Sequence, residues 1–235
     1  MERLLARVEG LEGGEMSKGD WQGNLTGAAK ILEKVALPAK RAASETTCAK
    51  LAGRMIEFGA QCETVGADAS LSAVGRREKW GRLLSDARST VLEYEALATA
   101  VADTIMETKR RAIADWAPPR ARDVAVQLEN QELRRHAQGL DPLTLKAKYI
   151  RAIHQGDVAF VDALENAPKV LGVLSAELFT EGQAVKLDLS PLGPEIEALE
   201  AERAALSFML ALAKNELAQF DVRLHERPRR FEVED

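Results

Sequence analysis

The sequence predicts an all-α protein: an N-terminal long-helix antiparallel bundle, then short capped helices, then one long C-terminal heptad helix. Three observations carry this. Aromatic residues make up only 5% of the chain while alanine and leucine are plentiful, a composition that favours helix over sheet. Trp80, Leu84, Ala87, Val91, Tyr94, Ala98, Val101, Ile105, Thr108 and Ala112 follow one another at alternating spacings of four and three, the pattern of a seam against a neighbouring helix. Ile196, Leu199, Arg203, Leu206, Leu210, Ala213, Leu217, Phe220 and Leu224 repeat it near the other end. No strands are expected.

Taken in order, residues 1–23 read as an arm, because Gly10, Gly13, Gly14, Gly19 and Gly23 follow at most two turns of helix. Trp21 within the arm is a candidate anchor, either on a partner or on the chain's own core. Asn24 can cap a short helix through Leu37, which Pro38 kinks or interrupts. The stripe Cys48, Leu51, Met55, Phe58, Cys62, Val65 marks a second helix over Ala39–Val65. Gly66–Ser70 has the composition of a turn, which folds the long helix Leu71–Trp116 back on it. Leu83, Leu97 and Met106 lie beside the long seam and widen it, as suits a multi-helix bundle over residues 24–117.

Ala117-Pro118-Pro119-Arg120 ends the long helix, because neither proline can donate to the ladder and each biases its predecessor toward extended backbone. A domain boundary is expected there, followed by a compact domain of short helices over 121–189. These run from Arg122 to Gln138, closed by Gly139; from the Asp141 cap and Pro142 to Gly156; from the Asp157 cap to Asn166; and from Ser175 to about Leu187. After Ser190-Pro191-Leu192-Gly193-Pro194 the heptad helix covers 194–225, and 226–235 is a charged tail.

Charge excludes some functions. The net charge is −5, and the acidic excess lies wholly beyond residue 116. No basic stripe of the kind nucleic acid requires is present. Lys109, Arg110 and Arg111 suit the negative end of a helix dipole instead. No apolar run reaches the roughly 18–20 residues that span a bilayer. Residues 1–10 lack the pattern of a secretory signal, so a reducing cytosol is expected.

Catalytic and ligand motifs are missing. Cys48 and Cys62, fourteen residues apart on one helix, stand roughly 21 Å from each other, too far for a disulfide, and read as small buried hydrophobes. His136, His154 and His225 form no ligand motif, and no glutamate stands three residues before a histidine. Phosphate-loop and hydrolase-elbow signatures are absent. Glu93, Glu95, Glu195, Glu197 and Glu200 read as solvated faces. No catalytic residue, cofactor, metal or small-molecule substrate is expected.

One segment carries a resemblance. Leu133-Arg134-Arg135-His136, Gly139-Leu140-Asp141-Pro142, Ala152-Ile153-His154-Gln155-Gly156-Asp157 and Asn166-Ala167-Pro168 with Leu174-Ser175-Ala176-Glu177-Leu178 resemble a helical segment of uncharacterised proteins of tailed phages and prophages. The resemblance covers residues 128–178 and brings no catalytic residue with it. It implies a phage virion or assembly component.

The expected function is therefore a non-enzymatic helical structural or assembly protein acting through protein contacts, including self-association through the heptad helices. The alternative is a cytosolic helical adaptor or regulator that binds a host protein. The interaction candidates are Trp21, Arg134, Arg135 and, if the C-terminal helix is free, Leu206, Leu210 and Leu217.

Overall fold

Helix forms where the sequence keeps a three-and-four apolar period, running through glycines such as Gly53, Gly59 and Gly81. The computed structural model describes residues 18–116 and 123–226. Among them are α1 (Lys18–Leu32), α2 (Pro38–Ala67), α3 (Ala73–Trp116), α4 (Val124–Gln138), α5 (Pro142–Gln155), α6 (Val158–Glu165), a 3-10 turn at Lys169–Leu171, α7 (Ala176–Leu189) and α8 (Gly193–Glu226). No strand occurs among the described residues, and none of their helices is long and apolar enough to cross a membrane.

The described residues form two compact units, 18–102 with 198–226 and 103–116 with 123–197. The division falls inside α3 and near the start of α8. The expected boundary at Ala117-Pro118-Pro119-Arg120, most of the expected arm and most of the tail lie outside the described residues. Most of the C-terminal long helix thus joins the first unit, where a separate element was expected.

In the first unit α1, α2, α3 and α8 share one apolar core. The α2 stripe is buried from Cys48 through Leu51, Met55 and Phe58 to Cys62, as its spacing predicts. Ser72 caps α3 by accepting from the Gly75 N–H at 3.1 Å. The turn before it is closed by Asp68, whose carboxylate accepts from the Ser70 N–H at 3.0 Å. Arg76 donates to Gly66 O at 3.3 Å and the Trp80 indole to Cys62 O at 3.0 Å. Four residues forward in one helix match four back in the other, so α3 returns antiparallel to α2. By the same reasoning α8 runs antiparallel to α3: Arg88 pairs with Asp221 at 2.6 Å, and Glu95 with Lys214.

Two expectations about the long helices and their neighbours fail. The first helix begins at Lys18 and ends at Leu32, so residues 18–23 are helix and Asn24 is no cap. Burying Trp21 explains the shift. A buried tryptophan removes roughly 150–250 Å² from water, about 4–6 kcal/mol at ~25 cal/mol per Å², against about 1 kcal/mol for each glycine inside the helix. Second, Leu97 does not widen the α3 seam, being 40% exposed, and neither does Met106, which belongs to the second unit and is 71% exposed. The buried face of α8 is broad. Ala205, Met209 and Leu212 are buried beside Leu206, Leu210, Ala213 and Leu217, giving a face broad enough to meet several helices.

The second unit has its own core, built around Tyr149, Ile153, Phe160, Val161 and Leu164. Its caps at Asp141, Asp157 and Ser175 follow the sequence, while α4, expected from Arg122, starts after a cap at Asp123 that the sequence reading did not single out. Asp123 accepts from the Val126 N–H, Asp141 from those of Leu143 and Thr144, Asp157 from Phe160 and Ser175 from Leu178. Pro142 occupies the first turn of α5, and Gly156 ends it in the left-handed region at φ 69°, where a side chain would be strained. The hydrogen bonds that Asp141 accepts from Thr144 hold its carboxyl below the usual range.

Candidate functional site

Packing in the second unit fixes one side of α4 and leaves the other to solvent. On the inner side Ala137 is fully buried. Arg134 is committed there as well: its Nε donates to Ala163 O at 2.6 Å and its Nη2 to Asn166 O at 3.1 Å. It thereby satisfies carbonyls that the end of α6 leaves without helical partners. Asn130 donates to Asp162 at 3.4 Å, and Gln138 to Leu171 O at 3.3 Å. The Lys148 ammonium lies 3.1 Å from His136 Nε2.

On the outer side Val124 is 72% exposed and Leu128 58% exposed. Beside them Gln127, Gln131 and Arg135 stand at i, i+4 and i+8, and their side chains make no hydrogen bond or ion pair. This ridge is one wall of an open groove that also takes in Arg134, Gln138 and Leu171. Of the two arginines expected to face a partner, the structure leaves Arg135 available and turns Arg134 inward as a tie.

The other interaction candidates are core residues. Trp21 is 1% exposed, and its indole N–H donates to Glu216 at 2.8 Å. Leu206, Leu210 and Leu217 are buried in the same core within a single copy of the chain, so the C-terminal helix is not free to offer them.

A second cluster went unrecognised in the sequence. Lys186 on α7 is fully buried, with its ammonium 2.6 and 2.7 Å from the two oxygens of Glu165 on α6. The buried Tyr149 hydroxyl on α5 donates to the same carboxylate at 2.5 Å. The Trp116 ring, at the end of α3, lies 4.6 Å from the ammonium, in cation–π range. Burial first, and then the Glu165 carboxylate, raise the Tyr149 phenol above its ordinary pKa, so it stays protonated and donates. Each group answers another inside the protein, and together they tie α5, α6 and α7 to the end of α3. The sequence held one signal, a lysine four residues after Gly182 on a face begun by Leu178.

Gly182 is where α5 comes close. A Cβ there would overlap the Tyr149 hydroxyl and ring, which burial and the Glu165 bond prevent from swinging away. Gly182→Ala gains about 1 kcal/mol of helix propensity but incurs a clash of about 1–3 kcal/mol, at the upper end because several atoms collide. The expected net loss is about 1–2 kcal/mol, read as a lower urea midpoint. A midpoint at or above the parent's would show that the ring yields.

Both cysteines are free thiols and buried. Burial, with a contribution from Glu202 and then Glu45, raises the Cys48 thiol from 9.0 to about 11, and burial with Glu216 raises Cys62 to about 12. Both should resist iodoacetamide at pH 8 in the native protein and react promptly in urea. Because the folded-state values lie above the ordinary one, the unfolded chain loses these protons first. The associated stability is whole below about pH 9 and is lost as pH rises through about 11 and 12. Native alkylation at pH 8 at the rate of a free thiol would contradict this. His136 and His154 are exposed and lie in no cluster of ligands among the described residues.

No family model, curated protein or solved structure matches the chain. The likeness of residues 128–178 to phage proteins rests on their caps and turns alone.

Proposed function

We propose that this protein is a non-enzymatic structural or assembly component that works through protein contacts, with the outer face of α4 as its contact surface. The observation that carries the reading is the pairing of an anchored inner side with an unengaged outer one. Arg134 and Asn130 hold the helix to α6, while Val124, Leu128 and Arg135 face solvent. A rigid helix presenting apolar side chains beside an uncommitted arginine loses little entropy on binding, and arginine is a frequent anchor at interfaces. The groups best suited to chemistry point the same way, since the thiols are buried and protonated and the buried lysine is paired.

A bundle architecture belongs to the same proposal. The antiparallel pairing of α3 with α2 and α8 supports heptad seams that close within one chain, leaving the second unit to meet partners. The phage origin implied by residues 128–178 makes another virion or assembly protein the expected partner, in the cytoplasm during assembly or in the finished particle.

Site-specific photocrosslinking in the native cell tests this. A benzophenone side chain at Leu128 should yield a discrete protein adduct that Arg135→Glu removes, whereas one at Leu92, 63% exposed in the first unit, should not. An adduct with a phage structural protein favours the assembly role, and one with a host protein favours an adaptor. No adduct at Leu128, or one indifferent to Arg135→Glu, would overturn the proposal.

A further inference from the structure

We infer that the groove beside α4 takes an extended, acidic peptide segment of the partner, an inference that rests on the contact surface proposed above. The first ground is charge. Among the described residues the charged groups lining the groove are Arg134 and Arg135, and none is a carboxylate. Arg134 already answers two backbone carbonyls, so Arg135 is the cation left for a ligand. Glu132 is a turn before Arg135 but does not line the groove. A fork of guanidinium donors suits a carboxylate.

The second ground is spacing. Gln127, Gln131 and Arg135 are four residues apart, which on a helix means steps of about 6 Å along the axis. An extended chain repeats on one side every two residues, about 6.6–6.8 Å. A side-chain amide offers both a donor and an acceptor, which is what a peptide unit needs. The two glutamines can therefore meet alternate peptide units of one strand while Arg135 receives an acidic side chain near its end. Leu171, 43% exposed, and Leu128 beside the ridge offer apolar contact to the ligand's other side chains. A helical ligand would bring its side chains, not its peptide groups, to the amides and would leave them unanswered. Two arginines are also too few for the phosphate tracking that gives nucleic-acid affinity.

The test uses the purified full chain on an array of randomised octapeptides, with a single-stranded oligonucleotide as competitor. Bound peptides should be enriched in Asp or Glu at one position near one end, the place that Arg135 answers. Arg135→Glu should weaken them at least tenfold, Gln127→Ala with Gln131→Ala several-fold, and Arg135→Lys less than Arg135→Glu. These side chains are exposed and unpaired, and circular dichroism should show every variant folded. A silent array, a bound set without acidic enrichment, signals unmoved by Arg135→Glu, or displacement by the oligonucleotide at comparable concentration would each overturn the inference. A silent array with the Leu128 crosslink intact would remove only the extended acidic ligand; loss of both would remove the contact surface too.

Discussion

Glu165→Leu is expected to destabilise the second unit by about 3–5 kcal/mol, the usual consequence of leaving a buried charge without its partner. Lys186 has no solvent exposure, so its ammonium cannot rehydrate without opening the contact between α6 and α7. The Tyr149 hydroxyl loses its acceptor at the same time. The Trp116 face cannot make up the difference, since a desolvated cation–π contact is worth about 2 kcal/mol. Neutralising both sides should behave differently. Glu165→Leu combined with Lys186→Met replaces the pair with apolar side chains, and such exchanges are commonly neutral or stabilising; only the Tyr149 hydroxyl would then lack a partner, at about 1–3 kcal/mol. Urea denaturation followed by circular dichroism should therefore rank the single variant well below the double. Equal midpoints for the single variant and the parent would mean that water reaches the ammonium.

How much the sequence reveals depends on whether the deciding interaction is local. The caps at Asp141, Asp157 and Ser175 and the left-handed Gly156 were legible because each is settled within four residues by backbone groups that need a partner. The α2 and α3 stripes were legible because burial follows the helical period. Trp21 was legible only as one of two alternatives, partner or own core, because its place is set by a contact to Glu216 almost two hundred residues away, which outweighs the glycines around it. Met106 reads like a flank of the seam, yet whether a flank is covered depends on where the neighbouring helix lies. The Lys186 cluster was hidden for the same reason, since its members come from four elements and share no spacing. On α4 the sequence singled out two adjacent arginines, but only the packing of α6 separates the tie from the free cation.

Leu206→Glu is expected to unfold the first unit and not to separate copies of an intact chain. Leu206 is 1% exposed, with Ala205, Met209 and Leu210 buried around it. Its core draws on α1, α2, α3 and α8. A carboxylate there either stays charged without a partner or takes up a proton. Even the neutral polar group costs about 2–7 kcal/mol without a hydrogen bond, and the lost leucine packing adds to this. Against a typical domain stability of about 5–15 kcal/mol, that is enough to populate the unfolded state. Leu206→Met, which nearly conserves volume, should cost less than about 1.5 kcal/mol. The same substitution in a free heptad seam would have a different signature, because the charge would face water once the copies parted. Circular dichroism and light scattering on one sample separate the cases. Lost helicity with a lowered midpoint follows from the buried position, whereas full helicity with a halved mass would mean that α8 joins two chains.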